Sequence, residues 1–251
     1  MKKLVYIFFA GIAFIASGCQ KDAIKLNGDA NASAAFIYAS PGSPTADIVI
    51  DGLVANGGRR LSYTTLSSLG GGGGNGGIYI PLLNGSRSIK ISPDSGKTNL
   101  VDASYQFDGN KSYTVVVYDT LSSTGAQTLR SVQLSDDLTP PTGTNTNVRF
   151  LHLAPNAPAV DVTLVRGANL DSVTITNSAY LGASPNAAAL SAFQPVTGGT
   201  AYTMRIKLAG TQTLVASFNL GSTLTSGRVI TLAAIGNAKS QPLSIAAFRH
   251  Y

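Results

Sequence analysis

Residues 35–50 read Ala-Phe-Ile-Tyr-Ala-Ser-Pro-Gly-Ser-Pro-Thr-Ala-Asp-Ile-Val-Ile, and residues 149–164 read Arg-Phe-Leu-His-Leu-Ala-Pro-Asn-Ala-Pro-Ala-Val-Asp-Val-Thr-Leu. At an offset of 114, Phe36 falls on Phe150, Pro41 on Pro155, Pro44 on Pro158 and Asp47 on Asp161, without a gap. The same offset works further along. Pro81 meets Pro195, Leu100-Val101 meet Leu214-Val215, and Gln127 and Leu129 meet Gln241 and Leu243. Residues 34–137 are therefore repeated in 148–251, which rules out most single-domain architectures. Each copy is far longer than a solenoid repeat of about 20–50 residues. It is also long enough to bury a core of its own. The Pro-, Thr- and Asn-rich residues 138–147 bury little and read as a linker.

Within each copy the local signals are for strands. Runs such as Tyr113-Thr-Val-Val-Val-Tyr118 and Arg228-Val-Ile-Thr-Leu-Ala-Ala-Ile235 are β-branched and apolar, and Gly, Pro, Asn or Asp clusters bound them. The spacing predicts strands near 34–39, 46–50, 60–65, 77–81, 86–92, 100–107, 112–118 and 127–134, with the same set about 114 residues later. All 12 acidic residues are Asp, which prefers turns and caps to helix interiors. The expected fold is all-β, two tandem antiparallel β-sandwiches of immunoglobulin-like or transthyretin-like type. Asn186–Ala192 is the one stretch that reads as a helical turn. Its counterpart, Gly70–Gly77, is a glycine run expected to form a surface loop.

The N-terminus sets an expected compartment. Lys2-Lys3 precede an apolar run, Leu4–Ile15, too short to span a bilayer, and small residues follow before Cys19. Residues 1–18 read as a signal peptide. The junction resembles the bacterial lipobox, which implies lipidation of Cys19, the single Cys of the chain. Residues 20–33 would then be a tether, and Gln20-Lys21-Asp22 resemble the start of a surface-export tag of Bacteroidota lipoproteins. The implied location is the bacterial outer membrane, lipid-anchored, with the tag favouring its outer face. Acyl chains at Cys19 would hold the protein to the membrane.

Charge and chemistry exclude more than they suggest. The net charge of +6 includes the two signal-peptide lysines, and the other basic residues are scattered singly apart from Arg59-Arg60, so no nucleic-acid footprint is present. Two His and no free Cys make a zinc site unexpected, and no metal or other cofactor is implied. Asp94, Asp108-Gly109-Asn110 and Asp136-Asp137 lie in predicted loops without an EF-hand pattern, and turn roles account for them.

A Ser, His152, Asp161 triad fails an internal check. His152 falls on Tyr38 in the other copy, and no Gly-x-Ser-x-Gly elbow is present. No catalytic residue is expected, nor an enzyme. Pro41, Pro44 and Asp47, like Pro155, Pro158 and Asp161, read as a turn signature, with fixed φ angles and a carboxylate for turn N–H groups. Trp is absent, so exposed carbohydrate platforms would fall to Tyr63, Tyr79, Tyr105, Tyr180 or Tyr202.

The run Val148-Arg-Phe-Leu-His-Leu-Ala-Pro-Asn-Ala-Pro-Ala-Val-Asp-Val162 resembles the opening signature of the domain of unknown function 4397 family, and Ala34–Ile50 is a more diverged copy with Tyr38 in place of His. That resemblance implies an exported β-sandwich and brings no activity. Together these readings point to a lipid-anchored cell-envelope protein, a non-enzymatic binding or structural module. Its partner would be an envelope or surface protein or a polysaccharide. The alternative is a glycan-binding accessory lipoprotein of a polysaccharide-uptake system.

Overall fold

The computed structural model describes residues 31–66, 79–121, 129–167, 171–199, 201–238 and 241–250. The predicted signal peptide, Cys19, most of the tether and the Gly70–Gly77 run lie outside these residues. The first repeat contributes β1 (Ala32–Ala39), β2 (Asp47–Ile50), β3 (Leu53–Val54), β4 (Thr65–Leu66), β5 (Ile80–Leu82), β6 (Gly85–Ser92), β7 (Val101–Phe107), β8 (Ser112–Tyr118) and β9 (Arg130–Asp136). The second contributes β10 (Asn145–His152), β11 (Val160–Arg166), β12 (Asp171–Ser178), α1 (Ala187–Ser191), β13 (Gln194–Thr197), β14 (Tyr202–Leu208), β15 (Leu214–Gly221), β16 (Val229–Asn237) and β17 (Gln241–Arg249). The helical turn forms where the sequence placed it, with the Asn186 side chain accepting from the Ala189 N–H as N-cap.

Both repeats build the same two sheets. In the first, β4, β1, β8 and β9 form one sheet, with β5 also on β1, against β3-β2-β6-β7. In the second, β13-β10-β16-β17 face β12-β11-β14-β15. The all-β sandwich expectation holds, with one difference in each copy. β1 pairs β8, and β10 pairs β16, in parallel. These strands are joined through the whole opposite sheet, a crossover long enough to return the chain in the same direction. Because the first strand shares its sheet with the last two, the partition is transthyretin-like. An immunoglobulin domain divides its strands differently.

The predicted strand over 60–65 is a second difference. Gly57 and Gly58 take left-handed φ of 55° and 82°, and Thr64 takes 67°. These turns leave only an isolated bridge, Ala46 to Leu61, and the two-residue β4. The repeat also slips locally. Ala34 pairs Tyr113, whereas Val148 pairs Ile230. Thr114 therefore corresponds to Thr231 at an offset of 117, three more than for the first strands.

Among the described residues, the apolar side chains gather in three cores. One lies between the sheets of the first repeat around Phe36, Ile48, Ile91 and Val115. Another lies within the second around Val148, Val162, Met204 and Leu232. A third joins the repeats: Ile37, Val116, Tyr118 and Leu134 from the first pack in one cluster with Leu151, Leu153, Ala233, Ile235 and Phe248 from the second. The β1-β8-β9 and β10-β16-β17 sheets are thus stacked on each other, and β8 and β16 are buried on both faces. Such strands read as continuous apolar runs without period-2 alternation, as Val115-Val116-Val117 and Leu232-Ala233-Ala234-Ile235 do.

Candidate functional site

The stacked sheets carry charge in their contact. On β10, Val148 and Phe150 point into the second core and Leu151 points to the other repeat. By the same alternation Arg149 points there too. Its guanidinium meets the Asp136 carboxylate at the end of β9 at 2.7 Å, with side-chain exposures of 1% and 0%. A buried charge is costly unless paired and hydrogen-bonded. The surroundings supply that. Arg149 Nη2 donates to Thr114 Oγ1 at 2.9 Å, and Thr114 donates onward to Asp136 Oδ2 at 2.6 Å. Arg149 Nε donates to Thr231 Oγ1 at 2.7 Å, and the guanidinium lies 4.6 Å from the Phe193 ring centre.

A second route closes the circuit. Tyr79 donates to Asp136 Oδ2 at 2.7 Å, so its oxygen is left to accept from His250 Nδ1, also 2.7 Å away. His250 Nε2 is then bare and accepts from Thr231, whose oxygen already takes the Arg149 proton. This proton assignment lets each of the three hydroxyls and the His250 ring donate once and accept once, with neutral His250 as the Nδ1–H tautomer. Burial pushes the His250 pKa down to about 4, Asp136 opposing and Arg149 assisting. Burial first, and Asp136 second, raise that of the Tyr79 hydroxyl. The repeat is visible here as well. Asp136 and His250 are equivalent positions, as are Tyr79 and Phe193 and the two threonines. Arg149, facing Ala35 at its counterpart, is the asymmetric member.

The turn signature is placed around both sandwiches. Tyr38 donates from its hydroxyl to the Pro44 carbonyl at 2.9 Å. His152 Nε2 lies 3.1 Å from the Pro158 carbonyl, and its Nδ1 accepts a long bond from the Ala154 N–H. Asp47 accepts from the Asn56 and Ser95 side chains and meets Arg60 at 3.3 Å. Asp161 accepts from the backbone N–H groups of Asn177 and Gly210 at 2.7 and 2.9 Å, which hold its carboxyl below the usual range. The acceptors are the expected carboxylates, but the donors come from other turns of the same sandwich. Pro41 and Pro155 open the loops after β1 and β10.

The five tyrosines do not form one exposed face. Tyr202 is buried and donates to the Thr197 carbonyl at 2.6 Å. Tyr105 packs against the first core and donates to Ser131 at 2.7 Å. Tyr79 belongs to the charged network. Tyr63 and Tyr180 flank the core between the repeats, Tyr180 edge-on to Tyr118 and His152. Apolar ring area is taken up wherever the two sheets or the two repeats meet, which leaves these rings at most half-exposed. Asp94 accepts from Ser92 and from the Thr98 N–H within its own turn. Among the described residues, no group of three or more His, Cys, Asp or Glu is placed to hold a metal, and no helix is long and apolar enough to cross a membrane.

Of the network residues, the sequence points to Tyr79 as a carbohydrate platform and to Asp136 as a loop carboxylate; Arg149, Thr114 and Thr231 are not singled out, although a signal exists. Arg149 interrupts an apolar strand at the position where the other copy has Ala35. Chemically, the circuit has an ion pair already neutralised and no nucleophile open to solvent. It can fix the two sheets against each other.

No curated protein matches the sequence. Among solved structures, the fimbrial anchor protein Mfa2 from Porphyromonas gingivalis aligns over 88% of this chain and 100% of its own, at 11% identity and a TM-score of 0.24, too loose a likeness to carry an argument. The model of the family described as Domain of unknown function (DUF4397) matches residues 32–163, a little over half of the chain, which therefore belongs to that family.

Proposed function

We propose that the chain is a lipid-anchored cell-envelope protein working as a non-enzymatic structural or binding module at the bacterial outer membrane. In this reading Cys19 carries the lipid and the residues from Gln20 up to β1, which begins at Ala32 inside the expected tether of 20–33, reach from the membrane to the first sandwich. The two sandwiches, with β10 beginning at Asn145 inside the expected linker of 138–147, act as one rigid body. Pro41, Pro44, Asp47, Pro155, Pro158 and Asp161 are folding residues in this reading, since the bonds of Pro44, Asp47, Pro155, Pro158 and Asp161 stay within each sandwich. The observation that carries the reading is the third core with its buried Arg149–Asp136 pair. A duplicated sandwich stacked in this way presents fixed outer sheets, which suits holding or spacing a partner at the envelope. A hinge that closes on a substrate would need a looser contact.

The test is metabolic labelling with an alkyne fatty acid of cells expressing the full chain or Cys19→Ala, followed by membrane fractionation and cross-linking. Label and membrane residence lost in Cys19→Ala, together with a cross-linked envelope protein, support the proposal. Unlabelled wild-type protein sinks the anchor. Saturable binding of one polysaccharide by the unlipidated chain on a glycan array would replace the protein partner with a glycan.

A further inference from the structure

The two sandwiches are built alike but are not closed alike. In the first repeat, β7 and β9 are the facing edges of the two sheets, and side chains bond them: Tyr105 donates to Ser131 at 2.7 Å, and Gln133 to the Gln106 carbonyl at 2.9 Å. The corresponding edges of the second are β15 and β17. The offset puts Ile245 and Ala247 where Ser131 and Gln133 stand, and neither side chain can make such a bond.

The difference continues at the end of the sandwich where the duplicated motif sits. Leu100 and Val101 are 7% and 2% exposed, whereas their equivalents Leu214 and Val215 are 54% and 45% exposed. Tyr38 fills the first sandwich beneath its Pro44 bond. In the second, the smaller ring of His152 makes the matching bond to Pro158. What results is a cavity of about 290 Å³ between the sheets of the second repeat, lined by His152, Val160, Leu208, Val215, Ala234 and Leu243 among others.

We propose that this cavity is a binding site for a neutral apolar ligand of one or two rings. The wall sets the chemical class. Among the described residues no Lys, Arg, Asp or Glu lines it, and besides His152 the one polar side chain there is the neutral amide of Asn237. Both nitrogens of His152 are already used, by the Pro158 carbonyl and the Ala154 N–H, so the ring offers the ligand carbon edges. The volume sets the size. An apolar cavity of roughly 150 Å³ stays dry and binds benzene. A space about twice as large takes a fused bicycle such as indole. At the equivalent positions of the first repeat stand the larger ring of Tyr38 and a buried Val101, 0% and 2% exposed.

The full chain is titrated with indole while the methyl resonances of Val160, Leu208, Val215 and Leu243 are followed by NMR. Saturable shifts concentrated on these methyls are expected. His152→Tyr should weaken binding by about tenfold or more, because it copies the filler that the first repeat already carries. Val215→Phe fills the mouth independently, and circular dichroism melting shows whether each variant is folded. Shifts spread over the molecule, no saturation, or undiminished binding to a folded His152→Tyr or Val215→Phe variant would overturn the site.

Discussion

Tyr38 and His152, at equivalent positions of the two repeats, donate to the carbonyls of equivalent prolines, Pro44 at 2.9 Å and Pro158 at 3.1 Å. Two side chains as different as a phenol and an imidazole serve one structural need, a donor that ties the end of the first strand to the Pro-x-x-Pro turn. His152 must therefore carry its proton on Nε2. Burial lowers its pKa and keeps it neutral, the bond to Pro158 opposing.

The shared bond sets a test on each copy. Tyr38→Phe and His152→Phe each remove the donor and keep a ring, and each should cost about 1 kcal/mol in chemical denaturation. His152→Tyr should restore nearly all of that loss, since the first repeat accommodates Tyr there. A His152→Tyr variant that unfolds several times more readily than His152→Phe would mean that the two turns are not equivalent.

How much of this was legible beforehand depends on the kind of signal. The duplication, the strand pattern and the Asn186-capped turn were readable because each is local or recurs at a fixed spacing. The Tyr38 and His152 equivalence was readable for the same reason. The stacking of the repeats was written less plainly. It lay in the lack of alternation in Val115-Val116-Val117 and Leu232-Ala233-Ala234, since a strand covered on both faces needs no polar positions. Asp136 looked like a loop carboxylate, and only the three-dimensional placement of Arg149 and Thr114 makes it a core residue. The pairing of Thr114 with Thr231 was hidden because the β7–β8 turn is three residues shorter than its counterpart, which breaks the constant offset.

The Arg149–Asp136 pair should be stabilising only as a pair. Asp136→Ala strands a buried guanidinium, and Arg149→Ala strands a buried carboxylate. Either should cost about 3–5 kcal/mol, read as a fall in the denaturant midpoint. The double variant should cost less than the sum of the two, which a double-mutant cycle measures. Additive losses would show that the 2.7 Å contact carries no coupling.

The network also predicts how stability depends on pH. Unfolded His titrates near 6.5, while burial holds His250 in the folded protein down at about 4. Above pH 6.5 neither state is protonated, and the neutral ring's bonds to Tyr79 and Thr231 count in full. As the pH falls from about 6.5 to about 4, the unfolded chain takes up a proton that the folded one refuses. Stability should decline over that window, by on the order of 3 kcal/mol, and this contribution should then level off. The charged groups facing the ring are Asp136 and Arg149, and their fixed pairing keeps the sign. His250→Gln retains a donor and an acceptor without titrating, so the difference between its pH profile and that of the wild type isolates the effect. Parallel profiles would rule it out.

Whether the two copies behave as one unit can be decided by placing the same charge at two leucines. Leu151 is fully buried in the core between the repeats, whereas Leu214 is 54% exposed on β15. Leu151→Asp forces an unpaired carboxylate into that core, where desolvation costs several kcal/mol. Leu214→Asp stands in water and should change stability by no more than about 0.5 kcal/mol. Calorimetry of the wild type should show one transition, because neither repeat can unfold without exposing Leu151, Ile235 and Phe248 or Ile37, Val116 and Leu134. Leu151→Asp should lower that transition and divide it, as each sandwich keeps its own internal core while the shared one is lost. Two transitions in the wild type, at temperatures that Leu151→Asp leaves unmoved, would mean that the stacked sheets contribute little, and the rigid-body role at the envelope would lose its physical basis.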